Sequence, residues 1–432
     1  MSAYRAIVIG VGPSGLATLR HLLRYRIPAI AIEKRHDVGG VWLFEEGKTR
    51  HSSAYKTLVT ITSKKRSAFS DFPFPEEAPD YLPYDQVQKY FRRYAENFGL
   101  LPHIHFEEEV QSVRREADRW TVCTNRGTYE ASYLIVASGH HWKPFIPTYP
   151  GHFTGQSYHS HDYTDPYQLR GQRLLIVGAG NSGADIAVDG VRFARSVDLS
   201  IRRGYHILPK FGFFGEATDQ LYHTLLSPMP LKLRHYLAGL TVRLLTGSPT
   251  RYGMPKPDHP IFYTHPLVNS ELLYHIRHGK VRLRPGIERL EGSRVYFTDG
   301  SYGEYDTLIW ATGYDIAFPF LPAHLEPVAD RLTRLYLHIF HLDEPTLTFV
   351  GLIQPNGCLW NLSELQGQLI AHYILGTYRL PADAESQTTQ YWQTHQKRYA
   401  HTPRHLLEVD WHEYYRLLTR LLRQSQPALS HA

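Results

Sequence analysis

A glycine-rich loop near the N-terminus has the residue types and spacing that bind a dinucleotide. Its candidate cofactor residues are Gly10, Gly12, Pro13, Ser14 and Gly15. The loop follows an apolar run at residues 4–9, interpreted as a buried parallel strand, and precedes helical spacing at residues 16–25. The first glycine permits a tight turn, the second lets the backbone approach a pyrophosphate, and the third lets helix and strand pack closely. Glu33 ends the next strand, residues 29–32, where an acid binds ribose hydroxyls.

A second glycine loop stands in the middle of the chain, between an apolar strand at residues 173–177 and a predicted helix through residues 185–193. Its candidate residues are Gly178, Gly180, Asn181, Ser182 and Gly183. After the next strand, the expected acid is replaced by Arg202 and Arg203. A guanidinium there suits a 2′-phosphate and favours NADPH over NADH. The alternative is that the two arginines are exposed residues at the end of the strand and bind no ligand. Two dinucleotide sites indicate one bound redox cofactor and one soluble electron donor.

Composition excludes several classes of function. The 432 residues suggest two or three domains, and 42% hydrophobic with 20% charged residues is ordinary for a globular protein. The net charge of +6 comes from scattered basic residues, which disfavours nucleic acid binding. Cys123 and Cys358 are too few for a disulfide framework and lack metal-ligand spacing, so we expect no metal and a cytoplasmic location. We find no signal peptide and no apolar run long enough to span a membrane, and expect no membrane contact.

The elements around the two loops repeat one plan. Each half has a glycine loop, a strand meander, a strand, and then Ala-Ser-Gly or Ala-Thr-Gly. The predicted meanders cover residues 110–136 and 281–297. The predicted helices are residues 84–98, 220–245 within an aromatic insertion at 205–270, and 365–378. We predict an α/β fold of two Rossmann-type domains, with the NADPH domain, residues 151–309, inserted into an FAD domain of residues 1–150 and 310–432.

The segment between the loops carries a further pattern, Phe153-x-Gly155-x-x-x-His159-Ser160-x-x-Tyr163. With the two loops, the Ala-Thr-Gly-Tyr run ending at Tyr314 and the Ser-Glu-Leu-Gln-Gly run ending at Gly367, it resembles the fingerprint of the flavin-containing monooxygenases. The resemblance runs over nearly the whole chain. His159 is either part of the site or a structural hydrogen-bonding residue at the junction between the domains.

This resemblance implies FAD, NADPH and O₂. NADPH would reduce FAD, a C4a-hydroperoxyflavin would form beside bound NADP⁺, and an amine nitrogen or sulfide sulfur would take the distal oxygen. The protein would supply binding, orientation and a dry cavity. Further FAD contacts implied by the resemblance are Lys34, Gly40, Val41, Trp42, Ser52, Thr60, Gly313 and Gln366. Trp360 and the aromatic residues of the insertion either line the active site or pack in the core.

One position departs from the family pattern. An Asn that contacts flavin and NADP⁺ is expected where this chain has Ile61. Isoleucine has no hydrogen-bonding side chain, and Thr60, Thr62 or Ser63 are the polar neighbours that could substitute. Our hypothesis is that the protein releases more H₂O₂ than its relatives and behaves partly as an NADPH oxidase.

Three alternatives stay open at this point. A Baeyer–Villiger monooxygenase acting on ketones is disfavoured because its commonest fingerprint ends in Trp, whereas this one ends in Tyr163. A dithiol reductase is disfavoured by the absence of Cys-x-x-Cys. A non-catalytic flavoprotein would not need the second glycine loop. A homodimer is expected because dimers are the commonest oligomers.

Overall fold

The structure is a computed structural model that describes residues 3–46, 51–399 and 403–425. Its strands, in chain order, are β1 (Ala3–Ile9), β2 (Ala29–Ile32), β3 (Ile104–His105), β4 (Val110–Glu116), β5 (Arg119–Thr124), β6 (Thr128–Val136), β7 (Lys143–Pro144), β8 (Gly151–Phe153), β9 (Gln156–His159), β10 (Arg173–Val177), β11 (Ser196–Ser200), β12 (Ile207–Leu208), β13 (Leu267–Val268), β14 (Val281–Arg284), β15 (Ile287–Gly292), β16 (Arg294–Phe297), β17 (Tyr302–Glu304), β18 (Thr307–Trp310), β19 (Tyr314–Asp315), β20 (Leu335–Tyr336), β21 (Phe340–His341), β22 (Leu347–Phe349), β23 (Gln354–Pro355) and β24 (Glu408–Val409).

The α-helices are α1 (Pro13–Arg24), α2 (Lys64–Ser67), α3 (Tyr84–Asn97), α4 (Asn181–Phe193), α5 (Thr218–Leu221), α6 (Leu231–Thr246), α7 (Glu271–Arg277), α8 (Leu359–Ile374), α9 (Ala384–Arg398) and α10 (Trp411–Ser425). Among the described residues, no helix is both long and apolar enough to cross a lipid bilayer.

The first unit is built on a nine-stranded sheet whose main path is β20-β21-β22-β6-β1-β2-β3, with β4 and β5 attached through β6. The five strands from β22 to β3 run parallel. Successive side chains of β1 enter two different cores because strand side chains alternate between faces. Ala6 and Val8 pack in a cluster with α1 and α8, whereas Ile7 and Ile9 pack in a cluster with Trp120 on the opposite face. Both faces of the parallel sheet are therefore covered.

The second unit is built on the five-stranded sheet β14-β11-β10-β18-β9, which is parallel throughout. Its strands all come from the middle of the chain, whereas the strands of the first sheet come from both ends. The predicted fold is thus confirmed: two Rossmann-type units, one inserted into the other. The domain limits at residues 150 and 309 stay predictions.

Two predicted elements differ in the structure. The meander expected at residues 281–297 loses its first strand, because β14 joins the parallel sheet beside β11 and the antiparallel meander is β15-β16-β17. The reason is a charge buried on β11: Asp198 accepts hydrogen bonds from Arg282 Nε at 2.9 Å and Arg284 Nε at 2.7 Å. A buried carboxylate needs such partners, and they fix β14 at this edge.

The helix expected at residues 220–245 is broken. It consists of α5, a π-helical turn at Tyr222–Leu226 and α6. Pro228 and Pro230 lie at the break, and proline interrupts a helix because it lacks a backbone N–H and clashes with the preceding turn. The helix expected at residues 365–378 starts earlier, at Leu359, after Cys358, whose sulfur accepts a hydrogen bond from Trp360 N.

A buried ion pair ties the insertion to the first unit. Arg234 of α6 donates from Nη2 to Asp410 Oδ1 at 2.6 Å, and both side chains are completely buried. Burial opposes ionisation of Asp410, but the hydrogen bond from His235 and the charge of Arg234 hold its pKa well below the ordinary value. The pair therefore stabilises the fold above the unfolded-state pKa of the carboxyl, and this contribution is lost as the pH falls towards the folded-state pKa.

We expect Asp410→Asn to destabilise the protein by about 3–5 kcal/mol at pH 7, because it leaves Arg234 buried without a counter-charge. Urea unfolding followed by circular dichroism would measure the change. The matched control is Glu291→Gln, which removes an exposed partner of Arg289 and should cost less than about 1 kcal/mol. Equal stability of the two variants would contradict the importance of the buried pair.

Candidate functional site

The first glycine loop is closed by backbone contacts. A β-carbon at Gly15 would lie 1.9 Å from Gly10 O, and one at Gly10 would lie 2.8 Å from Ala137 O. Gly10 also has a φ of +95°, which L side chains rarely adopt. Helix α1 begins directly after Gly12, without a side-chain cap and without an acid in its first turn. Its N-terminal N–H groups and positive dipole end are therefore available to a phosphate.

The other residues predicted to bind FAD lie around this loop. Gly40 crosses Gly12 so closely that a β-carbon at Gly40 would lie 2.9 Å from Gly12 Cα. Glu33 is buried, and its Oε2 accepts a hydrogen bond from Val11 N at 2.9 Å. Ser52 is buried and donates from Oγ to Val41 O at 2.8 Å. These contacts place the acid and the segment after β2 against the turn that the pyrophosphate would occupy.

Gln366 was predicted to contact FAD, and in the structure its side-chain amide forms two hydrogen bonds with other protein groups. Its Oε1 accepts from Gly351 N at 2.8 Å, and its Nε2 donates to Tyr414 OH at 2.8 Å. Both ends of the amide are thus used to hold the loop at Gly351, which packs on Ser14 of the first glycine loop. Gln366 supports the cofactor loop from behind.

The second glycine loop repeats the same construction. A β-carbon at Gly183 would lie 2.0 Å from Gly178 O, and one at Gly178 would lie 2.5 Å from Ala311 O. Helix α4 begins after Gly180 with no side-chain cap and no acid in its first turn. Asn181 is used to hold the neighbouring segment, since its Oδ1 accepts from Val268 N at 2.8 Å. The loop therefore fits a second pyrophosphate.

Arg202 and Arg203 follow β11 at the edge where the second loop opens. Both side chains are exposed, and neither forms an ion pair with any residue of the described ranges. Arg202 packs its aliphatic stem on Gly286, where a β-carbon would lie 3.2 Å from Arg202 Cγ. Two exposed guanidinium groups at this position fit a ligand with an additional phosphate better than one without it.

One cavity of about 460 Å³ lies between the second glycine loop and segments of the FAD side. Its lining includes Gly180, Asn181 and Ser182 from the second loop, and Val41 from the FAD side. The other residues that line it are Ser53, Ile61, His140, His141, Lys143, Ser160, His265, Ala311, Gly313, Tyr314, Asp315, Ile316, Val328, Leu332, Gln354, Leu406 and Leu407. A cavity lined from both the NADPH side and the FAD side is where a reduced nicotinamide and a flavin would meet.

The hydroxyl groups of Thr60 and Thr62, on either side of Ile61, contact other protein groups. Thr60 is buried, and its Oγ1 accepts from Leu82 N at 2.9 Å. Thr62 Oγ1 lies 2.8 Å from Ser67 Oγ. Of Thr60, Ile61 and Thr62, the residues predicted at the catalytic position, Ile61 is the one that lines the cavity. The side chain that faces the cavity at this position is therefore apolar.

The fingerprint segment joins the units through packing. Phe153 lies in the core beneath the second sheet, and a β-carbon at Gly155 would lie 2.5 Å from Asp306 O. His159 ends β9 and is buried, with Nδ1 accepting from His161 N at 3.0 Å. Burial lowers the pKa of His159 to about 4, so the ring is neutral at pH 7. These contacts favour the structural interpretation of His159, while Ser160 reaches the cavity.

Two acids of α4 make a junction that the sequence analysis missed. Tyr55 OH donates to Asp185 Oδ2 at 2.7 Å, and Thr57 Oγ1 donates to Asp189 Oδ2 at 2.6 Å. Tyr163, the last fingerprint residue, also donates to Asp189, at 2.8 Å. Burial raises the pKa of Asp185 to about 6. The available signal was the spacing of two acids four residues apart on an otherwise apolar helix.

Trp360 and most aromatic residues of the insertion do not line this cavity. Trp360 is buried in the core of the first unit, with its ring 4.7 Å from that of Phe91 and 5.9 Å from that of Trp42. Of residues 205–270, His265 is the one that contributes to the lining.

Comparison with known proteins agrees with this geometry. A family model described as FMO-like, flavin-binding monooxygenase-like, matches residues 3–430. Flavin-containing monooxygenase 5 of Oryctolagus cuniculus is 34% identical over 443 residues, which cover 96% of this chain and 81% of that protein. A Pan troglodytes protein named dimethylaniline monooxygenase 2, N-oxide-forming, is 34% identical over 405 residues, 88% of this chain and 75% of that protein.

Solved structures show the same fold. S-allyl-L-cysteine S-oxygenase from Allium sativum has a TM-score of 0.73 at 23% identity, covering 98% of this chain and 89% of that one. An open structure of cyclohexanone monooxygenase has a TM-score of 0.72 at 17% identity, covering 98% of both chains. At these identities the likeness shows the fold alone.

Replacing both Arg202 and Arg203 with Ala should raise the KM for NADPH at least about 10-fold and leave the KM for NADH nearly unchanged, because one charge-assisted contact to a phosphate contributes about 1.5–3 kcal/mol. Steady-state NADPH and NADH oxidation would measure both constants. The control is Arg195→Ala in the turn before β11, which should alter neither. An equal loss with both nucleotides would contradict recognition of the 2′-phosphate.

Proposed function

The chain belongs to the flavin-binding monooxygenase-like family, and from this premise we propose that it oxygenates soft nucleophiles, an amine nitrogen or a sulfide sulfur. It is an FAD-dependent enzyme that uses NADPH. The observation that carries the proposal is the cavity that residues of the second glycine loop line together with Val41 and Gly313 from the FAD side. Such a cavity lets one ligand pass electrons to the other while both stay bound.

The two loops divide the cofactors between them. The residues around Gly12, Glu33 and Gly40 would hold FAD, and those around Gly180 and Arg202 would hold NADPH. Bound FAD supplies the hydride acceptance and the activation of O₂ that side chains cannot provide. The chain itself contributes phosphate sites at two helix N-termini and the walls that surround the reacting groups.

The walls suit a reaction that excludes water and does not need an acid/base pair. His140 lines the cavity and His159 precedes the wall residue Ser160, and burial lowers the pKa of each histidine to about 4. Both rings are therefore neutral at pH 7, while Ile61, Ile316 and Leu407 make the cavity partly apolar. The two charged residues of the wall, Lys143 and Asp315, lie 3.9 Å apart and offset each other.

The nature of the oxygen acceptor is supported by two observations. One curated relative, similar over 88% of this chain, is named for forming an N-oxide, which favours an amine nitrogen. The fingerprint ends in Tyr163, whose hydroxyl donates to buried Asp189. A Trp in place of Tyr163 could also donate a hydrogen bond, from its indole N–H. Its larger ring would have to fit into a site that is completely buried. This disfavours the Trp-ended ketone-oxidising pattern.

We further propose that the protein acts in the cytoplasm and as a homodimer. Cys123 and Cys358 are both free, as expected in a reducing compartment. Helix α6 exposes an apolar stripe, of which Tyr236 is 70% and Leu244 is 69% exposed. A second copy covering this stripe would remove it from water.

Purified enzyme loaded with FAD should convert a thioether to its sulfoxide and a tertiary arylamine to its N-oxide, each consuming NADPH and O₂. The same preparation should convert a cyclic ketone to its lactone at least about 10-fold more slowly. Product analysis by mass spectrometry, with the three substrates side by side, would decide. Lactone as the main product would contradict the proposal and favour a Baeyer–Villiger enzyme.

Ile61→Asn should lower the H₂O₂ released per NADPH oxidised by at least about 3-fold, because an amide at this position can hydrogen-bond to the bound cofactors. Peroxide and NADPH would be measured in the same cuvette without organic substrate. Ile61→Val is the matched control and should leave the ratio unchanged, since it shortens the side chain without adding a polar group. If the wild type already releases almost no peroxide, Ile61 does not cause leakage.

A further inference from the structure

A second cavity, of about 450 Å³, lies apart from the cofactor cavity, and among the described residues the two share no lining residue. Its walls come from helix α2, from Ser227 and Pro228 at the break in the insertion, and from helices α8 and α10. The volume falls within the range of cavities that hold small organic ligands. None of the steps proposed above uses it.

Arg66 gives this cavity a charge that the protein leaves uncompensated. The side chain is half-buried, and its guanidinium carbon lies 4.8 Å from the centre of the Trp411 ring. In the described part of the chain, no carboxylate forms an ion pair with it. Burial lowers the pKa of Arg66, and the charge of Asp219 offsets this only in part. An anion beside Arg66 would supply the missing compensation.

The one acid on the wall is already satisfied by the protein. Glu364 accepts from Ser70 N at 2.9 Å and from Ser70 Oγ at 2.8 Å, and it lies 3.8 Å from Arg20 Nη1. A second cation, Arg416, stands at the rim and donates from Nε to His412 O at 3.2 Å. The remaining donors of the guanidinium groups make the cavity electropositive.

The rest of the wall is rich in aromatic rings. The rings of Trp411 and Tyr415 are stacked, 4.8 Å apart and 15° from parallel, and those of His223 and His412 are 5.2 Å apart and 19° from parallel. Burial lowers the pKa of His412 to about 3 and also lowers that of His223, so both rings are neutral at pH 7. A planar ring can therefore stack here beside the cation.

We propose that this second cavity binds a planar aromatic carboxylate, with the carboxylate on Arg66 and the ring against the exposed ring of Tyr415. An arginine fork matches a carboxylate with two parallel hydrogen bonds, and the aromatic face provides the apolar contact. The inference does not depend on the substrate proposed for the cofactor cavity, because its test measures binding alone.

The second cavity is linked to the cofactor cavity by a short length of chain. Arg66 lies on α2, whose N-cap is Ser63, two residues after Ile61. The hydrogen bond between Thr62 Oγ1 and Ser67 Oγ fastens the two ends of this segment together. The two cavities are thus lined by residues five positions apart in the chain, Ile61 and Arg66.

The test is calorimetric titration of the FAD-loaded enzyme with 2-naphthoate, with saturating NADP⁺ present to occupy the cofactor cavity. Binding should persist under these conditions and weaken at least about 10-fold in Arg66→Met, which loses a charge-assisted bidentate contact. Neutral 2-naphthamide should bind the wild type at least about 10-fold more weakly than the acid. The matched control is Lys65→Met, which removes the neighbouring exposed cation and should leave the affinity unchanged.

Three results would overturn the proposal: no detectable binding of 2-naphthoate, equal binding of acid and amide, or displacement of 2-naphthoate by NADP⁺. If Arg66→Met fails to fold, Arg66→Lys keeps the charge but loses the planar fork and should give an intermediate affinity. A different pattern would assign the effect to general surface charge. In that pattern Lys65→Met loses as much affinity as Arg66→Met, and Arg66→Lys binds 2-naphthoate as tightly as the wild type. Since no turnover is measured, failure of the oxygenation assay would leave this result intact.

Discussion

Both nucleotide loops depend on the absence of a β-carbon at one position each. A β-carbon at Gly15 would lie 1.9 Å from Gly10 O, and one at Gly183 would lie 2.0 Å from Gly178 O. Both obstacles are backbone oxygen atoms, so no rotamer change could relieve them. This closeness brings each helix N-terminus against its strand end, where the helix dipole and free N–H groups face a phosphate. The second loop, built in this way, contributes Gly180, Asn181 and Ser182 to the cofactor cavity.

The relative position of the loops depends in turn on the acids of helix α4. Asp185 and Asp189 accept hydrogen bonds from Tyr55, Thr57 and Tyr163, so the helix that carries the second loop is held to the segment leading to Ile61. Tyr55 is buried and donates to Asp185, which also accepts from Asn269 Nδ2 at 2.8 Å. The fingerprint thus contributes a structural link through Tyr163 as well as a cavity residue through Ser160. The fingerprint segment therefore both lines the cavity and holds the two units together.

Much of this arrangement could be predicted from the sequence because its signals are local. The glycine spacing, the acid after β2 and the arginines after β11 each lie within about thirty residues of the loop they serve. The partners of Asp185 and Asp189 could not be predicted, since Tyr55 is 130 positions away from Asp185. The prediction that β14 belongs to the meander was wrong for a similar reason. The buried charge of Asp198 on β11, and not the local strand pattern, decides which strand β14 pairs with. The second cavity combines α2, the insertion and α10, which no local pattern connects.

The central claim is that one atom of O₂ is transferred to a soft nucleophile, with NADPH as the electron donor. Turnover of a thioether under ¹⁸O₂, with FAD and NADPH present, tests this most directly by the mass of the sulfoxide formed. The expected result is a sulfoxide that carries one ¹⁸O atom, with the labelled product accounting for a substantial part of the NADPH consumed. Unlabelled sulfoxide, or no sulfoxide while all the O₂ consumed appears as H₂O₂, would contradict the assignment of this protein as an oxygenase of soft nucleophiles.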